Sequence, residues 1–225
     1  MKNKQSYLTK GSFALLLFVI LGYMVKFYPD QLTSFDTPIQ TWLRGDLPAA
    51  LTTFFKLVTS VIDPPIIIAW VLILVMVFLY KGWKIEATLL AGNLVLHGIL
   101  IKLIKFIYQR SRPSISHLVE EGGYSFPSGH SMATAIVLGT LIIIAQQRIQ
   151  NQKIKRLVQG LFLAYIFTVM ASRVYLGVHY PTDVIGGALM GFAILQSWNR
   201  RRSSRSPRPG SPRPVPSAFW PPDPQ

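Results

Sequence analysis

The sequence predicts an all-α membrane protein, a polytopic bundle of six transmembrane helices, from three observations. Half of the 225 residues are hydrophobic and only 14% are charged, against roughly 25% charged in typical soluble domains. The hydrophobic residues form long uncharged blocks instead of recurring at amphipathic spacing. With their flanks, most blocks approach the roughly 20 residues that a helix needs to cross a bilayer.

Six blocks are nearly free of charge, which gives the predicted count of six spans. They are residues 11–25, 64–80, 87–103, 132–144, 158–171 and 184–195. The fourth and the last are the shortest, and they lengthen if their spans begin at Ser128 and Asp183. Counts of five or seven are the alternatives, because the amphipathic stretch from Leu32 to Leu47 can be assigned either way.

The first block follows Lys2, Lys4 and Lys10, as the apolar part of a signal peptide would. No small-residue cleavage site follows it, so we expect a retained anchor. The sequence has no cysteine, which excludes disulfides and thiolate metal sites.

The net charge of +14 does not indicate nucleic-acid binding, because most basic residues flank the apolar blocks or lie in the last 26 residues. With six spans, the basic N-terminus, the basic second and fourth loops and the basic C-terminus share one side, which the positive-inside rule makes cytoplasmic. We therefore expect a plasma-membrane protein with both termini in the cytoplasm. The third loop breaks the rule, since Lys105, Arg110 and Arg112 lie on the outer side.

Residues 1–198 are predicted to form one membrane domain, and residues 199–225 differ in kind. This tail is rich in arginine and serine and holds eight of the sixteen prolines. Such a segment cannot bury a core, so we expect it to be disordered. A basic tail that is attracted to anionic lipids and a non-native extension are both compatible with its composition.

Three polar clusters border the apolar blocks, all on the predicted outer side. The first is KFIYQRSRP, residues 105–113. Lys105 and Arg112 are about two helical turns apart, so they share a face if the helix continues that far. Pro113 disfavours helix at Arg112. Because Lys and Arg often extend to a membrane interface, this cluster alone indicates no site.

The second cluster is YSFPSGHSMATA, residues 124–135. Ser128 is placed to cap the helix that follows. Gly129 leaves backbone N–H groups approachable at a helix N-terminus, where an anion binds favourably. His130 would face that anion. An ordinary capped helix is the alternative, but it does not explain His130.

The third cluster is SRVYLGVHYPTD, residues 172–183. Arg173 ends the fifth span, and Pro181 suits the first position of the sixth helix. The four-residue spacing places His179 and Asp183 within reach of a hydrogen bond. Such a bond fixes the histidine tautomer, as the aspartate does in a catalytic triad. An interfacial His–Asp pair without catalytic function is the alternative.

Ionisable residues at membrane depth indicate a functional site by default. Together the three clusters provide cations, a helix N-terminus, two histidines and a carboxylate. The patterns K-x6-R-P (Lys105 to Pro113), P-S-G-H (Pro127 to His130) and S-R-x5-H-x3-D (Ser172 to Asp183) resemble the complete three-part signature of the type 2 phosphatidic acid phosphatase superfamily. That group also includes vanadium haloperoxidases and glucose-6-phosphatases. The resemblance covers roughly residues 8–198.

The resemblance implies a phosphatase that works through a phosphohistidine. His179 would be the nucleophile, Asp183 its orienting partner and His130 the acid. The groups implied to bind the phosphoryl oxygens are Lys105, Arg112, Ser128, Gly129 and Arg173. No cofactor or metal is implied, and the expected partners are the bilayer and a lipid phosphate, without nucleic acid or an obligatory protein.

Other polar residues carry weaker predictions. We expect His97 to be a hydrogen-bonded core residue, and His117, Glu120 and Glu121 to lie in a solvated loop or to shape headgroup access. Asp63, in the segment DPP, is interpreted as part of a break before the second span.

A site at the outer boundary of the membrane favours a substrate whose tail stays in the bilayer. Similarity to small bacterial members favours undecaprenyl pyrophosphate, with phosphatidylglycerophosphate or a broad phosphatidic acid specificity as the alternative. A catalytically silent protein that binds or translocates lipid is the rival of another class, but His130, His179 and Asp183 are all retained. The apolar spans argue against a soluble haloperoxidase.

Overall fold

The computed structural model describes residues 2–203, with side chains described for residues 5–197. Every regular element in this range is a helix, which confirms the all-α class. Eight helices follow one another along the chain: α1 (Lys2–Phe27), α2 (Pro29–Arg44), α3 (Ala49–Ser60), α4 (Pro64–Tyr80), α5 (Lys84–Tyr108), α6 (Gly129–Arg148), α7 (Gln152–Tyr175) and α8 (Pro181–Ser203).

Four helices of the described part, α1, α5, α6 and α7, are long and apolar enough to cross a membrane. Helices α3 and α4 make a fifth span if they are taken as one, although they bend by 50° at the break between them. Helix α8 contains the sixth predicted block, but its side chains are described only to residue 197, and it is not among the spans found in the described part of the chain. The protein spans the membrane, and the predicted count of six is not confirmed.

Most of the stretch from Leu32 to Leu47, whose assignment as a span was left open by the sequence, belongs to helix α2. It has 16 residues, about 24 Å at 1.5 Å per residue, which is less than the roughly 30 Å of a bilayer core. Its buried residues, Leu32, Asp36 and Gln40, recur every four positions and so share one face. Helix α2 therefore places a buried carboxylate against the bundle.

Helix α6 is the central helix, with buried residues on all sides, and it packs against α5, α7 and α8. Glycines of α8 allow the close approach of α8 to α6. A Cβ added at Gly187 would lie 2.6 Å from the carbonyl oxygen of Ser128, and one added at Gly191 would lie 2.8 Å from the Cβ of Ala135. This packing brings the beginnings of α6 and α8 together.

Aromatic rings fix the segment that leads into α6. Phe126 is fully buried, stacks on Phe18 of α1 with ring centroids 5.6 Å apart, and meets the ring of Tyr108 edge to face at 5.0 Å. Such pairs stabilise beyond the area that they bury. The segment before His130 is thus held against α1 and the end of α5.

The predicted tail, residues 199–225, falls mostly beyond the described part of the chain. Helix α8 continues to Ser203, and residues 204–225 lie outside the described residues. The disorder of this segment stays a prediction.

Gly187→Ala should destabilise the protein, because the added Cβ meets a backbone carbonyl that cannot move aside. We expect a loss of about 1–3 kcal/mol, measured as thermal unfolding in detergent. Gly160→Ala is the matched control, since nothing lies within 4 Å of its Cβ position in α7, and it should leave stability unchanged or raise it slightly. Equal stability of the two variants would contradict the close packing of α6 and α8.

Candidate active site

The three polar clusters of the sequence meet at one end of the bundle, but the first is built differently from the expectation. Helix α5 ends at Tyr108, and Gln109 has a left-handed conformation with φ of 50°. Lys105 therefore lies in the last turn, whereas Arg112 lies in the loop beyond it. The two cations do not share a helical face.

The expected hydrogen bond between His179 and Asp183 is present. Nδ1 of His179 lies 3.4 Å from Oδ2 of Asp183, which also accepts the N–H of Tyr180 at 2.9 Å. Helix α8 begins at Pro181, as predicted. Burial lowers the pKa of His179 to about 4, against the opposing effect of the Asp183 hydrogen bond. The imidazole is consequently neutral at pH 7, and donation from Nδ1 leaves a lone pair on Nε2.

Arg112 stands next to that lone pair. Its Nη1 lies 3.5 Å from Nε2 of His179 and donates to the carbonyl of Val178 at 2.7 Å. Its Nη2 and Nε donate to the carbonyls of Gly122 and Gly123 at 2.7 and 3.1 Å. Backbone carbonyl groups thus fix the guanidinium beside the Nε2 edge of the imidazole ring.

Arg173 and Glu121 form the second charged part of the site. Arg173 is 1% exposed, donates to the hydroxyl of Thr59 at 2.9 Å and pairs with the carboxylate of Glu121. The other oxygen of Glu121 lies 3.6 Å from Arg112. Burial would raise the pKa of Glu121, but Arg173 and its neighbouring cations hold it below its usual range.

The prediction of a solvated loop was therefore wrong for Glu121, which pairs with Arg173, 52 positions away, as well as with Arg112. It holds for Glu120, which is exposed. His117 is exposed as well, and its ring bonds the carbonyl of Pro113 at 2.9 Å.

The segment Ser128–Gly129–His130 begins α6, as predicted. The hydroxyl of Ser128 accepts the backbone N–H of Ser131 at 3.4 Å, and the N–H of Ser128 donates to the carbonyl of Asp183 at 3.0 Å. The second bond joins the second and third clusters directly. Around Gly129 the space is open, since a Cβ there would meet only Ile101, at 3.6 Å.

A cavity of about 490 Å³ opens beside Gly129 and His130, between α4, α5 and α6. Its polar wall includes Lys105, Glu121 and His97, and the remaining wall is mostly apolar. The expectation that His97 is a hydrogen-bonded core residue is not met, because its ring forms no hydrogen bond among the described residues and Nδ1 is buried without a partner. The cavity thus combines an apolar interior with a charged end.

Sequence reasoning missed Asp63. The segment DPP does break the span, but the Asp63 carboxylate also lies 3.0 Å from Nε2 of His130. The available signal was an aspartate just before an apolar helix on the predicted outer side. Nothing in the sequence connects it with a histidine 67 residues away.

Sequence reasoning also missed a buried ion network around Arg110. This guanidinium donates to Oδ1 of Asp183 at 2.7 Å and to Oδ2 of Asp36 at 2.8 Å. Asp36 accepts, in addition, the N–H and the hydroxyl of Thr182 at 2.9 and 2.7 Å. The guanidinium carbon lies over the Tyr180 ring, 4.0 Å from the ring centroid. Arg110 therefore holds the carboxylate that orients His179.

Within residues 5–197, no three His, Asp or Glu side chains are grouped as ligands of a metal ion. Several charged groups of the site are paired with one another: Arg110 with Asp36 and Asp183, and Arg112 and Arg173 with Glu121.

Comparison with known proteins identifies the family. Residues 86–205 match the PAP2 superfamily. The chain belongs to this superfamily.

The PAP2 relatives include a phosphatidylglycerophosphatase B of Bacillus subtilis, 38% identical over 98 residues, which cover 43% of this chain and 48% of the relative. An undecaprenyl-diphosphatase of Sulfolobus acidocaldarius is 24% identical over 184 residues, which cover 79% of this chain and 84% of the relative. The chain thus spans about half the length of the first relative and most of the second.

A crystal structure of a transmembrane PAP2-type phosphatidylglycerolphosphate phosphatase from Bacillus subtilis is also similar, with a TM-score of 0.76 and 27% identity. The match covers 88% of this chain and 98% of that one. Together these findings make the protein a member of a family of membrane lipid phosphatases, and they support a hydrolase.

Arg110→Met should strongly destabilise this PAP2 protein, because it leaves Asp36 and Asp183 buried without their cation. Breaking a buried pair in this way costs about 3–5 kcal/mol, which thermal unfolding in detergent would detect. Adding Asp36→Asn to Arg110→Met should restore part of the loss, since one of the two unpaired charges is removed. A stability of Arg110→Met equal to that of the wild type would contradict the network.

Proposed function

We propose that the protein is a metal-independent lipid phosphatase that forms a phosphohistidine on His179 at the extracytoplasmic face of the plasma membrane. One observation carries the proposal most directly. Nδ1 of His179 is bound to Asp183, and the lone pair of Nε2 faces Arg112. A neutral, oriented imidazole beside a fixed cation is suited to attack a bound phosphoryl group.

In the first step, Nε2 of His179 attacks phosphorus, and the bond from phosphorus to the leaving oxygen breaks. His130 gives the leaving oxygen a proton. In the second step, water attacks phosphorus, neutral His130 takes one of the water protons, and the bond from phosphorus to Nε2 of His179 breaks with its electron pair returning to the imidazole. Inorganic phosphate leaves, and both histidines return to their starting state.

The cations of the site suit the transition state of this transfer. Negative charge on the three equatorial phosphoryl oxygens is best stabilised by donors that are already in place. The donors that we assign to this role are the side chains of Lys105, Arg112, Arg173 and Ser128 and the backbone N–H of Gly129.

The substrate that we favour is undecaprenyl pyrophosphate, which yields undecaprenyl phosphate. The largely apolar cavity beside His130 supports a substrate with a hydrocarbon tail. The undecaprenyl-diphosphatase relative aligns over most of both chains. Phosphatidylglycerophosphate, or a broad phosphatidic acid specificity, is the alternative, supported by the structural similarity to the Bacillus subtilis phosphatase.

His179→Ala should abolish turnover, with a loss on the order of 10⁴-fold or more, because no other group replaces the nucleophile. Labelling with a ³²P lipid phosphate should give an acid-labile, base-stable phosphoenzyme in the wild type and none in the variant. His117→Ala is the matched control, since this exposed loop histidine should leave labelling unchanged. Full activity of His179→Ala would refute the nucleophile assignment.

Phosphate release from four purified lipids, with EDTA present, tests the substrate and the metal independence together. We expect undecaprenyl pyrophosphate to give the highest kcat/KM, ahead of phosphatidylglycerophosphate, phosphatidic acid and diacylglycerol pyrophosphate, with vanadate as an inhibitor. A higher kcat/KM for phosphatidylglycerophosphate would establish the alternative. Loss of activity on chelation would refute metal independence, and no turnover of any lipid would favour the catalytically silent protein.

A further inference from the structure

Asp63 stands at the break between α3 and α4, where the chain bends by 50°. It is the N-cap residue of α4, with Pro64 following, and aspartate normally uses its side chain to cap at this position. The Asp63 carboxylate makes no such bond. Its capping capacity is left unused, and the side chain reaches another helix instead.

That helix is α6. The Asp63 carboxylate lies 3.0 Å from Nε2 of His130, whose side chain is 8% exposed while that of Asp63 is 44% exposed. Among the described residues, Nδ1 of His130 has no hydrogen-bond partner, and His130 lines the cavity together with Gly129. One ring nitrogen is therefore held, and the other is available to a bound molecule.

The other charged or titratable groups around His130 come from three different parts of the chain. His97 and Lys105 belong to α5, Arg173 to α7, and Glu121 to the loop before α6. Of these groups, Glu121 is already paired with Arg112 and Arg173. Asp63 is the carboxylate that bonds the ring directly.

We propose that Asp63 is a positioning residue for the acid, so that the site contains a second His–Asp pair, Asp63–His130, beside His179–Asp183. The inference rests on the function proposed above. The Asp63 carboxylate accepts Nε2–H, which directs Nδ1 towards the leaving oxygen and favours the imidazolium. When the phosphorus–oxygen bond breaks, the leaving oxygen takes its electron pair and the Nδ1 proton, and His130 stays neutral with Nε2–H on Asp63.

Leaving groups of different basicity separate this role from a structural one. An alkoxide, such as the glycerol oxygen of phosphatidylglycerophosphate, is strongly basic and needs a proton as it departs. The 4-nitrophenolate ion departs without one. Acid catalysis contributes roughly 10²–10⁴-fold where it is needed, so a defect in the acid should appear only with the basic leaving group.

The test is single-turnover formation of the phosphoenzyme by Asp63→Asn, with phosphatidylglycerophosphate and with 4-nitrophenyl phosphate. We expect a loss of about 10- to 100-fold with the lipid, a part of the full acid effect, and a change of less than about twofold with the aryl ester. The basic limb of the pH–rate profile should move to lower pH, because the imidazolium loses its carboxylate partner. Asp63→Glu should restore part of the rate and of the profile.

Asp46→Asn is the matched control, since Asp46 is an exposed aspartate that follows α2, and it should behave as the wild type. Equal losses on both substrates, an unchanged pH profile, or an additional loss when Asp63→Asn is combined with His130→Ala would overturn the inference. Its failure is distinguishable from failure of the proposed function. Absence of a phosphohistidine in the wild type refutes the proposed function, whereas a normal phosphohistidine in Asp63→Asn with wild-type rates on both substrates refutes only the role of Asp63.

Discussion

The Asp183 carboxylate is completely shielded from solvent, and the geometry of the site depends on how its charge is held. A buried carboxylate without partners is strongly destabilising. Asp183 is bound by the Arg110 guanidinium, by the His179 ring and by the N–H of Tyr180. Arg110 in turn requires Asp36 as its second anion. Helix α2, the loop after α5 and the start of α8 are therefore joined by one network, and His179 takes its orientation from it.

Arg112 and Arg173 also need a partner of opposite charge. Arg112 and Arg173 lie close together, where two guanidinium groups would repel each other without an anion between them. Glu121 provides that anion, and its lowered pKa keeps it charged. A phosphoryl group would meet the same two guanidinium groups, so its binding competes with an internal carboxylate. The two guanidinium groups are thus paired with an internal carboxylate before any phosphoryl group binds.

Local patterns predicted the parts of the structure that depend on local chemistry. The apolar blocks predicted the long helices, and single residues predicted the Ser128 cap, the start of α8 at Pro181 and the His179–Asp183 bond. The contacts of Asp36 and Asp63 join residues that are more than 60 positions apart. No periodicity or spacing in the sequence predicts these contacts.

The two His–Asp pairs differ in exposure, and the difference fits their proposed chemistry. Asp183 and His179 are both sealed from water, which keeps the imidazole neutral and its tautomer fixed, as a nucleophile requires. Asp63 is 44% exposed beside a nearly buried His130. In the proposed cycle Nδ1 of His130 gives a proton to the leaving oxygen and takes one back from the attacking water, while Nε2–H stays on Asp63. Asp63 therefore only holds the ring, and a half-exposed carboxylate is sufficient for that role.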